Sequence, residues 1–209
     1  MQYSFNTISF LTTSPDKFLE TKLFIESNLS FKINLVNIKE IHLQEIQGSS
    51  EQIILNKLHQ AAKLIDGPVL VEDSAFSVIG MNTMPGPYIK DFFTQLGNKK
   101  IYQFFKPFLN KKIYNYDSID KSYLGFILNN PEGLFKEPII WKGETFGNII
   151  DPINQEYDEY NWCFFFVPEG ESVPYGNMTK EQKNRVSARQ KSLKQLCDFL
   201  ESNKNIFDN

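Results

Sequence analysis

The sequence predicts an α/β fold built on a mixed β-sheet flanked by helices. Three observations lead there. Short β-branched apolar runs alternate with helical periodicities through the first half of the chain. Strand-like runs then dominate the middle, which suits a mixed sheet better than a fully parallel one. Apolar residues make up 41% of the 209 and charged residues 22%, which excludes a disordered chain and supplies a sizeable core.

The elements follow in order. Residues 7–13 (TISFLTT) are a strand that breaks at Ser14-Pro15. Ser14 is the N-cap and Pro15 the first-turn proline of a helix running to about Asn28. Residues 33–38 (INLVNI) are a short strand. Ser49 and Ser50 open a second helix with Ile54, Leu58, Ala61, Ala62 and Ile65 on one face, and Asp66-Gly67-Pro68 ends it. Residues 69–72 (VLVE) are a short buried strand. A loop with Gly80, Pro85, Gly86 and Pro87 then leads into a helix, and residues 101–109 are helical. Strands follow at 113–116, 122–129, 138–142, 145–150 and 163–167. The last helix starts near Thr179 and runs to about Asn203. No stretch has linker composition, so residues 1–209 are expected to be one folding unit with two lobes.

Charge and composition exclude several classes of function. The net charge of −3 gives no global positive field for a nucleic-acid backbone. No run of 18 apolar residues suggests a membrane-spanning helix. The first residues lack the basic start of a signal peptide. His42 and His59 are the only histidines, too few for a histidine-rich metal site. Cys163 and Cys197 lack metal-ligand spacing; a reducing, cytoplasmic compartment is the simpler expectation, with a disulfide left open.

Five segments carry chemistry-bearing residues. The turn Thr12-Thr13-Ser14-Pro15-Asp16-Lys17 joins a strand to a helix N-terminus. Its free N–H groups, three hydroxyls and Lys17 suit a phosphate, although a plain capped helix start has the same look. Asp73 and Ser74 follow the VLVE strand, at the strand end where α/β sheets bind ligands. Glu45 offers a second carboxylate, and paired carboxylates suit Mg²⁺, a hard cation that retains several waters. Lys90 sits in the first turn of a helix after a rigid Pro-Gly-Pro, opposing the helix dipole unless an anion lies beside it. Tyr160 and Trp162 offer flat surfaces for a base. Near the C-terminus stand the only two arginines, Arg185 and Arg189. On one continuous helix Val186, Arg189, Leu193, Leu196 and Leu200 share a stripe, so Arg189 faces the core and needs an anionic or carbonyl partner. Lys183 lies at the edge of that face, with Ser187 nearby.

Taken together these segments resemble the Ham1/inosine triphosphate pyrophosphatase family. The family's T-G-N-x-x-K turn corresponds to Thr12–Lys17 and its E-x-Q-G to Glu45-Ile46-Gln47-Gly48. GPVLVEDS and MPGPYIK match closely, a G-x-x-x-G falls at Gly143 and Gly147, and the terminal K-x-x-K-N-x-V-S-H-R matches at Lys180, Lys183, Asn184, Val186, Ser187 and Arg189. The resemblance implies an elongated mixed sheet flanked by helices, two lobes with a central nucleotide cleft, and a homodimer. It implies Mg²⁺-dependent hydrolysis of non-standard purine nucleoside triphosphates to the monophosphate and pyrophosphate, with Mn²⁺ as a substitute metal. Glu45 and Asp73 would bind the metal; Asp73, Glu45 and Lys17 would be catalytic; Lys17, Lys90 and Lys183 would meet the phosphates. Arg189 would contact the base edge and Tyr160 or Trp162 would support the base.

This chain departs from the pattern at three places. Ser14 replaces the turn Asn, and the aromatic-G-[YW]-D-P loop reads Tyr160-Asn161-Trp162-Cys163-Phe164, losing the Gly, the Asp (Cys163 here) and the Pro. Ala188 replaces the His before the final Arg. The replaced Asp and His help relatives read the base, so altered or relaxed base selection is expected, with space at Ala188 for a substituted base. A nucleotide-binding module without turnover is the rival class.

Overall fold

Two serine-capped helices organise the first half of the chain. Ser14 accepts from the Lys17 N–H, and Ser49 forms a reciprocal capping box with Gln52. The computed structural model describes residues 5–129, 137–152 and 161–208. Its elements are β1 (Thr7–Leu11), α1 (Pro15–Asn28), β2 (Asn34–Asn37), α2 (Ser50–Ala61), β3 (Gly67–Val78), β4 (Pro85–Gly86) and α3 (Ile89–Phe105). They continue with β5 (Ser118–Asn129), β6 (Ile139–Ile149), β7 (Phe166–Pro168), α4 (Lys180–Val186), α5 (Ala188–Ser202) and α6 (Lys204–Phe207). The strand order is β2-β1-β3-β5-β6-β7, with β4 pairing β3. β1 runs parallel to β2 and β3, while β4 and β7 are antiparallel to β3 and β6. The sheet is therefore mixed.

The chain divides into two compact units, each assembled from separated segments. The first comprises residues 1–73, 123–142 and 192–209. Alternate residues of β5, Leu124, Phe126 and Leu128, join Phe10, Leu70 and the Leu193, Leu196, Cys197 and Leu200 stripe of α5 in one core. On the other face of β5, Gly125 leaves room for Ile54 and Leu58 of α2. The second unit comprises residues 74–122 and 143–191. Its core is aromatic. Phe76 meets the rings of Phe165 and Phe166 edge-on and stacks on Trp162.

Several sequence expectations need correction. β3 continues to Val78 instead of ending at 72, because apolar residues resume at Ala75 after the polar Glu72-Asp73-Ser74. Residues 113–116 are not a strand but a tight turn closed by one bridge, with Tyr114 and Asn115 at φ 52° and 69°. The strands placed at 138–142 and 145–150 are one strand, β6, running through Gly143. Within 163–167 only the end is extended: Trp162–Phe164 form a 3-10 turn whose phenylalanine is apolar for burial rather than for strand pairing. α3 begins at Ile89 and passes a kink at Gly97, φ 70°. The last helix is two helices, broken at Ser187, whose ψ of 147° is extended.

The Gly147 position of β6 shows how closely β7 packs. A Cβ there would run into the Val167 carbonyl and the Phe166 ring. Gly147→Ala should therefore destabilise the protein by about 1–3 kcal/mol, read as a lowered denaturation midpoint. An unchanged midpoint would mean that the β6–β7 spacing is not tight.

Candidate active site

The first cluster belongs to the first unit and grows from the parallel β1–β3 pairing. The register Leu11↔Val71 carries both strands toward the same end, where β1 turns into α1 and β3 presents Glu72 and Asp73. Thr12 Oγ1 accepts from the Ser14 N–H at 3.1 Å, and Ser14 Oγ accepts from the Lys17 N–H at 3.3 Å. Thr13 is exposed. Lys17 Nζ lies 3.7 Å from Glu72 Oε1, whose side chain is fully buried.

Lys57 holds the rest of the cluster together. Its Nζ is 2.6 Å from Glu45 Oε1 and 3.3 Å from Asp73 Oδ1. Burial pulls the Lys57 ammonium down, but Asp73 and Glu45 outweigh it and hold its pKa above the ordinary value. Asp73 moves up as well. Its burial outweighs the pull of Lys57 and Lys17, and the Glu45 charge adds to the rise. Asp73 is thus a carboxylate with enhanced basicity beside two cations.

Sequence reasoning passed over Lys57 and gave Glu72 no role. Lys57 had a signal: it lies between Ile53, Ile54, Leu58 and Ala61 on the buried face of α2. The stripe criterion applied to Arg189 applies to it equally. Among the described residues, no group of three or more His, Cys, Asp or Glu gathers as a metal nest. Glu45 and Asp73 nevertheless converge on one cation, the Lys57 ammonium. Two convergent carboxylates fit a Mg²⁺-type ion that takes its other oxygens from water and substrate.

The second cluster belongs to the second unit. Asp120 of β5 is buried, 6% exposed, and its Oδ2 accepts from the Tyr175 hydroxyl at 3.1 Å. Burial pushes the Asp120 carboxyl up; the Tyr175 hydroxyl, the Arg189 charge, the Ala188 N–H and the Lys183 charge pull it back. Burial and Asp120 push the Tyr175 hydroxyl up in turn. Lys183 Nζ sits 5.7 Å from the Tyr175 ring centroid. Ser187 is buried; its N–H donates to the Lys183 carbonyl, and its Oγ accepts from the Gln190 N–H at 3.4 Å as the cap of α5. Lys90 is exposed in the first turn of α3, and Ser74 is half-buried on β3.

Three expectations change here, and one falls outside the described residues. Arg189 does not lie in the core stripe of one long helix; the break at Ser187 puts it half-buried in the first turn of α5, with Val186 on a different helix. Trp162 spends one ring face on Phe76, 5.6 Å between centroids, so at most the opposite face could meet a base. Ala188 is 0% exposed, so the loss of a histidine there opens no solvent-accessible space for a substituted base. Tyr160 lies outside the described residues. Both cysteines are free, and burial with the nearby Asp198 and Glu201 charges pushes the Cys197 thiol up to about 12, which makes it inert.

The Lys57 geometry gives a test in stability. Removing its charge takes away the strongest opposition to the rise of Asp73, so the folded-state pKa of Asp73 climbs further. A raised folded pKa gives stability that is present below the unfolded value, near 3.8, and lost as pH rises through the folded one. The gap between wild type and Lys57→Gln should therefore widen from pH 4 to pH 7, reaching about 3 kcal/mol. Denaturant melts at several pH values measure it, and a gap independent of pH would break the assigned coupling.

Known proteins extend this picture. The model of the Ham1 family matches residues 8–199. The inosine triphosphate pyrophosphatase of Candida albicans is 35% identical over 174 residues, 83% of this chain and 80% of the relative. That of Schizosaccharomyces pombe is 30% identical over 199 residues, 95% and 97% of the two chains. Among solved structures, the Staphylococcus aureus Ham1 protein superposes with a TM-score of 0.67 at 19% identity, covering 94% of this chain and 99% of that one. A HAM1 protein from Coxiella burnetii gives 0.69 at 16% identity, covering 94% and 98%. These two share the mixed α/β fold described above. With the family matched across nearly its whole length, the chain belongs to the Ham1 family.

Proposed function

We propose that this protein is a nucleoside triphosphate pyrophosphohydrolase that converts a nucleoside triphosphate and water to the monophosphate and pyrophosphate. The observation that carries this reading is the Lys17, Glu45, Lys57, Glu72 and Asp73 cluster, in a chain whose relatives are named inosine triphosphate pyrophosphatases. The reaction breaks the bond between the α-phosphorus and the bridging oxygen. Water supplies the new oxygen, and pyrophosphate leaves with the electron pair of the broken bond. Asp73, its basicity raised by burial, orients the water and accepts its proton. Lys17 and Lys57 neutralise the charge that grows on the leaving group, and Lys90 and Lys183 are the further phosphate contacts. Glu45 and Asp73 would hold Mg²⁺, or Mn²⁺ in its place, which when bound neutralises phosphate charge further. A homodimer and a reducing, cytoplasmic setting complete the proposal.

Base selection is the part in which this chain differs from the family pattern. Arg189 keeps a donor fork for an electron-rich base edge. Cys163 is a poor substitute for a carboxylate acceptor, and the buried Ala188 offers no donor. Weaker discrimination follows, through lost polar contacts rather than through added room.

A pyrophosphate-release screen across inosine, xanthosine, guanosine and adenosine triphosphates with Mg²⁺ tests the reading. Asp73→Asn should lower kcat at least about a hundredfold with the fold intact, and Glu45→Gln should raise the Mg²⁺ concentration needed. Tight nucleotide binding without any pyrophosphate release would instead identify a binding module. For base selection, kcat/KM of wild type and Cys163→Asp are compared. A wild-type preference for inosine triphosphate of several orders of magnitude would overturn relaxed selection.

A further inference from the structure

The break between α4 and α5 is held at consecutive backbone positions. The Thr145 hydroxyl of β6 donates to the Val186 carbonyl at 2.6 Å. The next residue, Ser187, is buried and caps α5. Asp120 of β5 then accepts from the Ala188 N–H. Residues 186–188 are therefore tied to two neighbouring strands, and the next residue is Arg189. The ties from Thr145 and Asp120 come from strands outside the two helices.

Asp120 is an expensive choice for a purely mechanical tie. A neutral side chain could accept the Ala188 N–H without desolvating a charge. What the carboxylate adds is a negative field at a helix N-terminus, acting on Arg189 and on Lys183. Lys183 lies in the last turn of α4 and Arg189 in the first turn of α5, so one cation on each side of the break answers to one buried anion. Tyr175 holds that anion from the far side through its hydroxyl, and its ring carries Lys183.

We propose that Asp120 is a positioning residue for nucleotide recognition: through Ala188 and its charge it sets where Arg189 stands, and Tyr175 holds it for that task. The inference rests on the proposed contact between Arg189 and the base. It places part of the specificity in a pair of buried residues that act through Arg189. Fixing a recognition group beforehand lowers the ordering cost paid on binding, so its loss is read in KM more than in kcat.

The test compares inosine triphosphate with inorganic tripolyphosphate, which has the phosphates and no base. Asp120→Asn should raise KM for inosine triphosphate about tenfold, the effect of one lost charge-assisted contact. It should weaken inhibition by tripolyphosphate by much less, because Asp120 reaches the phosphates only through the Lys183 charge. Tyr175→Phe should move KM in the same direction by less, and it decides the matter if Asp120→Asn does not fold. Arg189→Lys supplies the control, and Asp120→Asn combined with it should lose no more than Arg189→Lys alone, because both act through one group. Equal losses for inosine triphosphate and tripolyphosphate, or additive losses in the double variant, would overturn the positioning role while leaving the Arg189 reading intact. If Arg189→Lys itself leaves KM for inosine triphosphate unchanged, the base contact fails first and the positioning role falls with it.

Discussion

Two carboxylates in the interior of β3 set the terms for the first unit. Val69, Leu70 and Val71 precede them with no exposed surface, and Phe76 and Val78 follow in the same condition. Glu72 and Asp73 therefore bring negative charge into a strand that is otherwise uncharged, and an unpaired charge there would cost several kcal/mol. The compensation must come from neighbouring elements. Lys17 arrives from the first turn of α1, and Lys57 from the buried face of α2. Both helices are held in register by serine caps, so the caps are upstream of the charge balance. Ion pairs this buried are weak evidence for stability, since apolar substitutes of similar volume do as well or better. Their presence is better explained by the chemistry that a clustered set of charges performs.

The second unit answers a different constraint with a different material. Its core is built from rings: Phe76, Phe93, Phe105, Phe164, Phe165 and Phe166. Rings fill space with few rotamers and tolerate irregular backbone, which suits a region of 3-10 turns and short strands. Within that aromatic setting several buried polar groups are committed to a partner. Asp120 has Tyr175 and Ala188, Thr145 has Val186, and Asp117 takes the Ile149 N–H at 2.9 Å. Polar groups paired in this way fix backbone geometry, which apolar contacts alone leave loose.

Much of the fold was legible because local signals agreed with tertiary ones. The Ser14-Pro15 start predicted α1 to its last residue, and the Leu193, Leu196, Leu200 spacing marked the face of α5 that packs into the core. The errors share a cause. Helical periodicity continued across Ser187, and no sequence signal there revealed Asp120 and Thr145 taking the backbone bonds that the helix gives up. Polar Glu72-Asp73-Ser74 ended a strand on paper that pairing carried through. Lys57 was legible by its place among Ile54, Leu58 and Ala61. Asp120 was not, since its partners Tyr175 and Ala188 lie far along the chain.

Of the three departures from the family pattern, Ser14 falls in the phosphate turn and keeps a capping oxygen there, while Cys163 and Ala188 fall on the proposed base side, and the proposed function gives a physical reason for that split. Every nucleoside triphosphate presents the same phosphates, so on the proposed function Lys17, Glu45, Lys57 and Asp73 would meet one fixed arrangement of charge. A lost cation among them weakens every substrate alike. Base edges differ, and a contact to one of them changes only the ranking of substrates. Substitution on that side is tolerated so long as the backbone carrying Arg189 stays in place. Cys163 and Ala188 alter side chains there, while the ties from Asp120 and Thr145 engage the main chain of Ala188 and Val186. Main-chain ties survive a change of side chain. On the proposed function, that separation would let base selection drift without disturbing the frame on which Arg189 is carried.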